Sequence, residues 1–112
     1  MEIYVDLDNT LCHTDGSDYL NSNPIPDRVA RVNALRERGH KVTIWTARGS
    51  KSGKDWKDLT VKQLAEGGVR YDKLLMGKPH YDLYIDDKSE NVNLYWKTPG
   101  GGESRKIDNH IV

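Results

Sequence analysis

Short apolar runs alternate with longer amphipathic ones along this chain, and that alternation limits the possible folds more than any other feature. Ile3-Tyr4-Val5 and Lys41-Val42-Thr43-Ile44-Trp45-Thr46 are brief, β-branched and aromatic, as buried strands are. Lys73 to Met76 and Tyr81-Asp82-Leu83-Tyr84-Ile85 are two further strand candidates. Between the first two runs, Pro26-Asp27 opens a segment with Val29, Val32 and Leu35 at three-residue steps, closed by Arg36-Glu37-Arg38-Gly39. Proline at the start, basic residues in the last turn and glycine beyond them delimit a helix. Asp55 stands where it can cap a second helix, with Trp56, Leu59, Leu64 and Ala65 as its apolar stripe and Gly67-Gly68 as its stop. The order β-α-β-α-β-β calls for crossover connections, and so for an α/β fold with a mainly parallel sheet between layers of helix.

Size and charge narrow the reading. A chain of 112 residues accommodates one domain, 1–112, with residues 98–112 as a flexible or edge-strand tail after the glycine-rich stretch Thr98 to Glu103. Seventeen Lys+Arg balance 17 Asp+Glu, which argues against bulk capture of nucleic acid while allowing a local basic patch. No apolar run is long enough for a membrane span, and the N-terminus lacks a basic region followed by a long apolar one, so a cytoplasmic protein is expected. The single cysteine, Cys12, leaves neither an intramolecular disulfide nor a multi-cysteine zinc site.

The acidic residues fall at strand ends. Asp6 and Asp8 close the first predicted strand, and Asp86 and Asp87 follow the Tyr81 to Ile85 run. Open α/β sheets place ligands in the crevice beyond the carboxyl ends of their strands. One Asp there is an ordinary turn former or cap, but four carboxylates repel one another unless a cation, a proton or a partner offsets them. Oxygen-only donors fit Mg²⁺ better than Zn²⁺. Thr46-Ala47-Arg48-Gly49 leaves the second strand with a hydroxyl, backbone N–H groups and a planar donor fork, all suited to phosphoryl oxygens, and Lys78 precedes Pro79 just before the fourth strand candidate.

Taken together these residues resemble the haloacid dehalogenase-like phosphatase superfamily. Asp6-Leu7-Asp8-Asn9-Thr10 is similar to its Asp-x-Asp-x-Thr signature, Thr46 to its isolated Thr/Ser, Lys78 to its isolated Lys, and Asp86-Asp87 to its closing acidic motif, in the same order. The resemblance covers about the first 90 residues and implies a Rossmann-like core. It further implies that Asp6 is the nucleophile, forming an aspartyl-phosphate, and that Asp8 is the acid and then the base. Thr46 and Lys78 would stabilise the phosphoryl oxygens, joined on the substrate side by Asn9, Ala47 and Arg48. Mg²⁺ would sit among Asp6, Asp8 (through its carbonyl), Asp86 and Asp87.

Asn9 departs from the glycine common at that point of the family. The stretch between Asp8 and Thr46 has room for the Leu11 to Ile25 loop and one helix, and none for a large cap domain. A capless site suits an extended phosphate ester, or one closed by a second copy of the chain. Lys51, Lys54 and Lys57, with Arg48, are candidates for a rim that draws in an anion, or simply a solvated face. The expected activity is Mg²⁺-dependent hydrolysis of a phosphomonoester, such as a sugar phosphate of polysaccharide metabolism. Phosphorylated nucleic-acid ends or nucleotides are the alternative substrates. Phosphotransfer to an alcohol and a noncatalytic metal- or phosphate-binding module are the alternative roles.

Overall fold

The computed structural model describes residues 1–92. Residues 93–112, Trp96 and the 98–112 tail among them, therefore lie outside the described residues. The chain divides into two units, Glu2–His80 and a second that begins at Tyr81 and takes in Met1.

The Glu2–His80 unit carries the expected α/β core. Strand β1 (Glu2–Val5) is followed by two two-residue strands, β2 (Cys12–His13) and β3 (Asn23–Pro24), then helix α1 (Pro26–Glu37), β4 (Lys41–Trp45), α2 (Lys57–Glu66) and β5 (Lys73–Leu75). Strands β1, β4 and β5 make one parallel sheet in that order, with Ile3 opposite Val42, Val5 opposite Ile44, and Ile44 opposite Leu74. Each parallel step is bridged by a helix, as parallel neighbours require. The unit has two helices, three parallel strands and no large cap.

The core is short. Val42 and Ile44 at the centre of β4 are fully buried, and Val29, Val32 and Leu35 of α1 are buried at the three-residue steps seen in the sequence. Burying each such side chain contributes roughly 1.5–3 kcal/mol. Helix α2 faces inward differently from expectation: Thr60 and Leu64 are its buried residues, whereas Leu59 is half-buried and Ala65 exposed. Trp56 itself occupies the cap position, and the Asp55 carboxylate accepts the Lys57 N–H at 3.0 Å from one residue further back. Trp45 and Trp56 are half-buried edge-on partners, of Tyr4 and Tyr19 respectively, and not the central anchors that their size suggests.

The Leu11 to Ile25 loop is ordered. Strands β2 and β3 pair antiparallel, a 3₁₀ turn spans Tyr19–Asn21, and Leu11, Cys12 and Thr14 are buried. The Tyr81 to Ile85 run forms no strand: among the described residues it makes no ladder pairing, and Leu83 and Ile85 are 75% and 87% exposed. Apolar composition supports a strand only where a neighbouring edge supplies its hydrogen bonds, and among the described residues none pairs with this run.

Asp72 ties the sheet to the loop before β5. Its Oδ2 accepts the Val42 N–H at 2.8 Å, and Arg36 lies 3.4 Å from Oδ1. The Val42 N–H, aided by Arg36, holds this carboxyl below its ordinary range. A carboxyl held lower in the folded than in the unfolded chain stabilises above its unfolded value, and that stability disappears as pH falls through the folded one. Asp72→Asn should lower the melting temperature at neutral pH, and the gap between variant and wild type should close in acid, as thermal melts across pH will show.

Candidate active site at the strand ends

The site begins where β1 stops. Asp6 follows Val5, and the chain then turns: the Thr10, Leu11 and Cys12 N–H groups all converge on the Leu7 carbonyl at 2.8–3.2 Å. Asn9 makes this turn with φ 61°, the left-handed region in which Asn is among the few non-glycine residues tolerated. Its side-chain oxygen accepts the Thr14 N–H at 3.1 Å, so Asn9 also ties the turn to β2. Glycine could make the turn but not that tie.

Asp6 keeps an open carboxylate. Thr10 Oγ1 donates to Oδ2 at 3.1 Å, Lys78 Nζ lies 3.5 Å from Oδ1, and the Asp6 side chain remains 40% exposed. Lys78 is itself buried, with Nζ 5.5 Å from the Trp45 ring centroid. Its position follows from the backbone, because the Lys78 N–H donates to the Thr46 carbonyl at 3.0 Å while the Thr46 N–H donates to Leu75 at 3.0 Å. Thr46 is 1% exposed, and its hydroxyl accepts the Arg48 N–H at 3.2 Å. Ala47 is half-buried and caps a turn by accepting the Ser50 N–H at 2.9 Å.

Arg48 is not on the rim with the lysines. It is 2% exposed, and its donors are taken by protein. Nε donates to Asp8 Oδ2 at 3.0 Å and Nη2 to Asp8 Oδ1 at 2.8 Å, a two-pronged ion pair. Nη1 donates to Gln63 Oε1 at 2.6 Å and Thr60 Oγ1 at 3.2 Å, and the guanidinium lies 4.8 Å from the Tyr19 ring centroid. Lys51, Lys54 and Lys57 are exposed. The loop carrying the first two is pinned at both ends: Ser50 Oγ donates to the Lys78 carbonyl at 2.6 Å, and Gly49, at φ 80°, leaves no room for a side chain against the Lys54 main-chain carbonyl.

Asp8 is therefore embedded. Beside Arg48, the Thr14 hydroxyl donates to its Oδ1 at 2.7 Å and the Cys12 thiol at 3.5 Å. Burial pushes the Cys12 thiol up from its ordinary value, against hydrogen bonds from Ser22 and Thr14, so it serves as a packed, weak donor. Thr14, Ser22, Thr60 and Gln63 complete this arrangement, and none of them was a sequence candidate. Their one visible trace is Thr60 and Gln63, a polar pair three residues apart on the inward side of α2.

Asp6, Asp8, Thr46, Arg48 and Lys78 are thus joined in one continuous set of contacts. Asp86 and Asp87 belong to the unit that begins at Tyr81. There the Lys88 N–H donates to Asp86 Oδ1 at 2.6 Å and holds its carboxyl below the ordinary range, with the Tyr84 hydroxyl 3.2 Å from Oδ2. Among the described residues no three His, Cys, Asp or Glu side chains gather as a metal-holding group. Nor is any helix of the described residues long and apolar enough to cross a membrane.

No family model and no curated protein matches the chain. Two solved structures do. A chain in a structure of the Pnkp1/Rnl/Hen1 complex shares the fold at a TM-score of 0.55 and 18% identity, over 90% of this chain and 35% of that one. A crystal structure of an MCSG target from Vibrio cholerae matches at a TM-score of 0.74 and 30% identity, covering 84% of this chain and 85% of its own. With likeness of that extent in both sequence and fold, the chain belongs to the same family as the Vibrio cholerae protein.

Proposed function

We propose that the chain is a Mg²⁺-dependent phosphomonoester hydrolase of the haloacid dehalogenase-like superfamily, acting through an aspartyl-phosphate on Asp6. The observation that carries this reading is the setting of Asp6: a part-open carboxylate at the end of a parallel strand, with the buried Lys78 ammonium 3.5 Å from one oxygen and the Thr10 hydroxyl 3.1 Å from the other. A lysine and a hydroxyl beside a nucleophile orient it and receive the charge of a phosphoryl group. The ordinary reading of such an ion pair is structural, but a structural pair has no need of an exposed carboxylate at the ligand-binding end of an α/β sheet.

In the proposed reaction an Asp6 oxygen bonds to phosphorus as the ester P–O bond breaks, and the departing oxygen takes a proton from Asp8. Water then attacks the aspartyl-phosphate, giving its proton to Asp8 and releasing phosphate and the Asp6 carboxylate. Thr46 and Lys78 hold the phosphoryl oxygens throughout. The donor set suits Mg²⁺: Asp6 offers carboxylate oxygen, and the Asp8 carbonyl lies outside both hydrogen bonds of the Asp8–Cys12 bridge, which use Leu7 and Cys12 oxygens. The Asp8 side chain is a poorer ligand, being held by Arg48. When bound, the cation neutralises the repulsion between carboxylate and phosphate.

The lack of a large cap among the described residues supports an extended or end-group substrate. In this proposal phosphorylated nucleic-acid ends and nucleotides rank ahead of sugar phosphates, an order that the fold likeness to a chain of the Pnkp1/Rnl/Hen1 complex supports. The test is phosphate release from all three classes in Mg²⁺ or EDTA. The expected result is release in Mg²⁺ alone, fastest with one of the first two classes. Transfer of the phosphoryl group to an added alcohol in place of water would identify a phosphotransferase. Silence from folded protein across the panel contradicts the proposal.

A further inference from the structure

We infer that Arg48 is a positioning residue, which holds Asp8 for the hydrolysis of the phosphorylated intermediate and does not bind the substrate phosphate. This rests on the hydrolase reading above and assigns a role within it.

The contacts distinguish the two Asp8 oxygens. Oδ1 accepts from Arg48 Nη2 at 2.8 Å and Thr14 Oγ1 at 2.7 Å, with Arg48 Nε at 3.3 Å and Cys12 Sγ at 3.5 Å. Oδ2 accepts only from Arg48 Nε at 3.0 Å among the described residues. A carboxylate oxygen has about two good lone-pair positions, so Oδ1 is filled and Oδ2 retains one. Proton traffic falls to Oδ2.

Arg48 is in turn braced from three directions. Gln63 and Thr60 of α2 take Nη1, Ser22 Oγ lies 3.4 Å from Nη2, and Tyr19 covers the guanidinium face. Gln63 Nε2 also donates to the Tyr19 carbonyl at 2.6 Å, tying the braces together. With its side chain 1% exposed and its fork committed to Asp8, Arg48 has no donor turned toward solvent for a phosphate. Two parallel N–H···O bonds fix the plane of a carboxylate, which one bond from a flexible lysine does not.

The chemistry this serves is the second step. The water oxygen forms its bond to phosphorus, the bond from phosphorus to the Asp6 oxygen breaks with its electron pair returning to Asp6, and the water proton passes to Asp8 Oδ2. A base displaced by about 1 Å loses roughly 10²-fold in rate. The first step can be freed of this demand by an ester such as p-nitrophenyl phosphate, whose leaving group departs without a proton.

The experiment is rapid-mixing kinetics with p-nitrophenyl phosphate and Mg²⁺, on Arg48→Gln and Arg48→Lys, each alone and combined with Asp8→Asn. Folding is checked by thermal melts. Alongside, the Arg48 Nε–H signal is followed by ¹⁵N NMR. Arg48→Gln should keep the first-turnover burst of p-nitrophenolate and lose steady turnover roughly 10²-fold, with KM unchanged or lower. In the Asp8→Asn background the same substitution should change turnover by less than about threefold, since residues acting through one another are not additive. Arg48→Lys should rescue only part of the loss. Loss of the burst together with a raised KM, or an equal loss in both backgrounds, overturns the proposal.

Should Arg48→Gln not fold, Thr14→Val removes a neutral donor from the same oxygen, and it should slow turnover with the burst intact; no change there contradicts the role. The NMR signal separates this inference from the reading beneath it. An exchange-protected Nε–H that disappears in Asp8→Asn, in a protein giving no burst, refutes the hydrolase and leaves the Arg48–Asp8 clamp standing. An unprotected Nε–H refutes the clamp, whatever the activity.

Discussion

Asp6→Asn should abolish phosphate release, lowering turnover by about four orders of magnitude or more, as the loss of an attacking group does when the rest of the site survives. The amide matches the carboxylate in size and can still accept the Thr10 hydroxyl, so the turn should survive. What disappears is the nucleophile and the counter-charge of Lys78, whose side chain is 11% exposed against 40% for Asp6. Because Asp6 is part-open to water, the stability effect should be small beside the kinetic one. Steady-state assays with thermal melts as control will separate the two. Activity that persists in Asp6→Asn would mean that another group attacks phosphorus.

Asp8→Asn should act differently. Turnover is expected to fall by about 10²–10⁴-fold, the range for loss of a general acid or base. With a substrate whose leaving group needs no proton, the phosphorylated protein should accumulate, since attack by Asp6 continues while water is no longer activated. This variant should also be less stable than Asp6→Asn. An asparagine presents an N–H group to one of the Arg48 donors, and disrupting a buried ion pair by changing one partner costs roughly 3–5 kcal/mol. Arg48 is 1% and Asp8 19% exposed on their side chains, against the more open Asp6–Lys78 pair. The two variants thus differ in the step that fails and in the melting temperature, and rapid-quench kinetics with calorimetry tests both.

The parts of this molecule legible in its sequence were those set by local periodicity. Val29, Val32 and Leu35 fall on the buried side of α1, and the β-branched centre of β4 is its deepest part. The strand-end positions of Asp6 and Thr46 follow from those two strands. Lys78 could be suspected only from motif order, since its approach to Asp6 depends on a backbone bond to Thr46 across the sheet end. Arg48 stands in a Gly- and Ser-rich exit that in sequence suits a phosphate fork or an exposed rim, and the structure buries it. Its burial arises from Asp8, Thr60 and Gln63, partners distant in sequence that no pattern links. Tyr81 to Ile85 shows the opposite failure, a run with every mark of a strand that forms no ladder among the described residues.

The central claim is that Asp6 carries the phosphoryl group, and acid-quenched peptide mass spectrometry tests it most directly. Asp8→Asn protein is mixed with Mg²⁺ and p-nitrophenyl phosphate, quenched within the first turnovers and digested. The account predicts a phosphoryl increment on the peptide containing Asp6, labile to hydroxylamine as acyl phosphates are, and absent from the Asp6→Asn, Asp8→Asn double variant. Substrate turnover in wild-type protein with no phosphoryl group on that peptide in either form, or with the group on another residue, would contradict it.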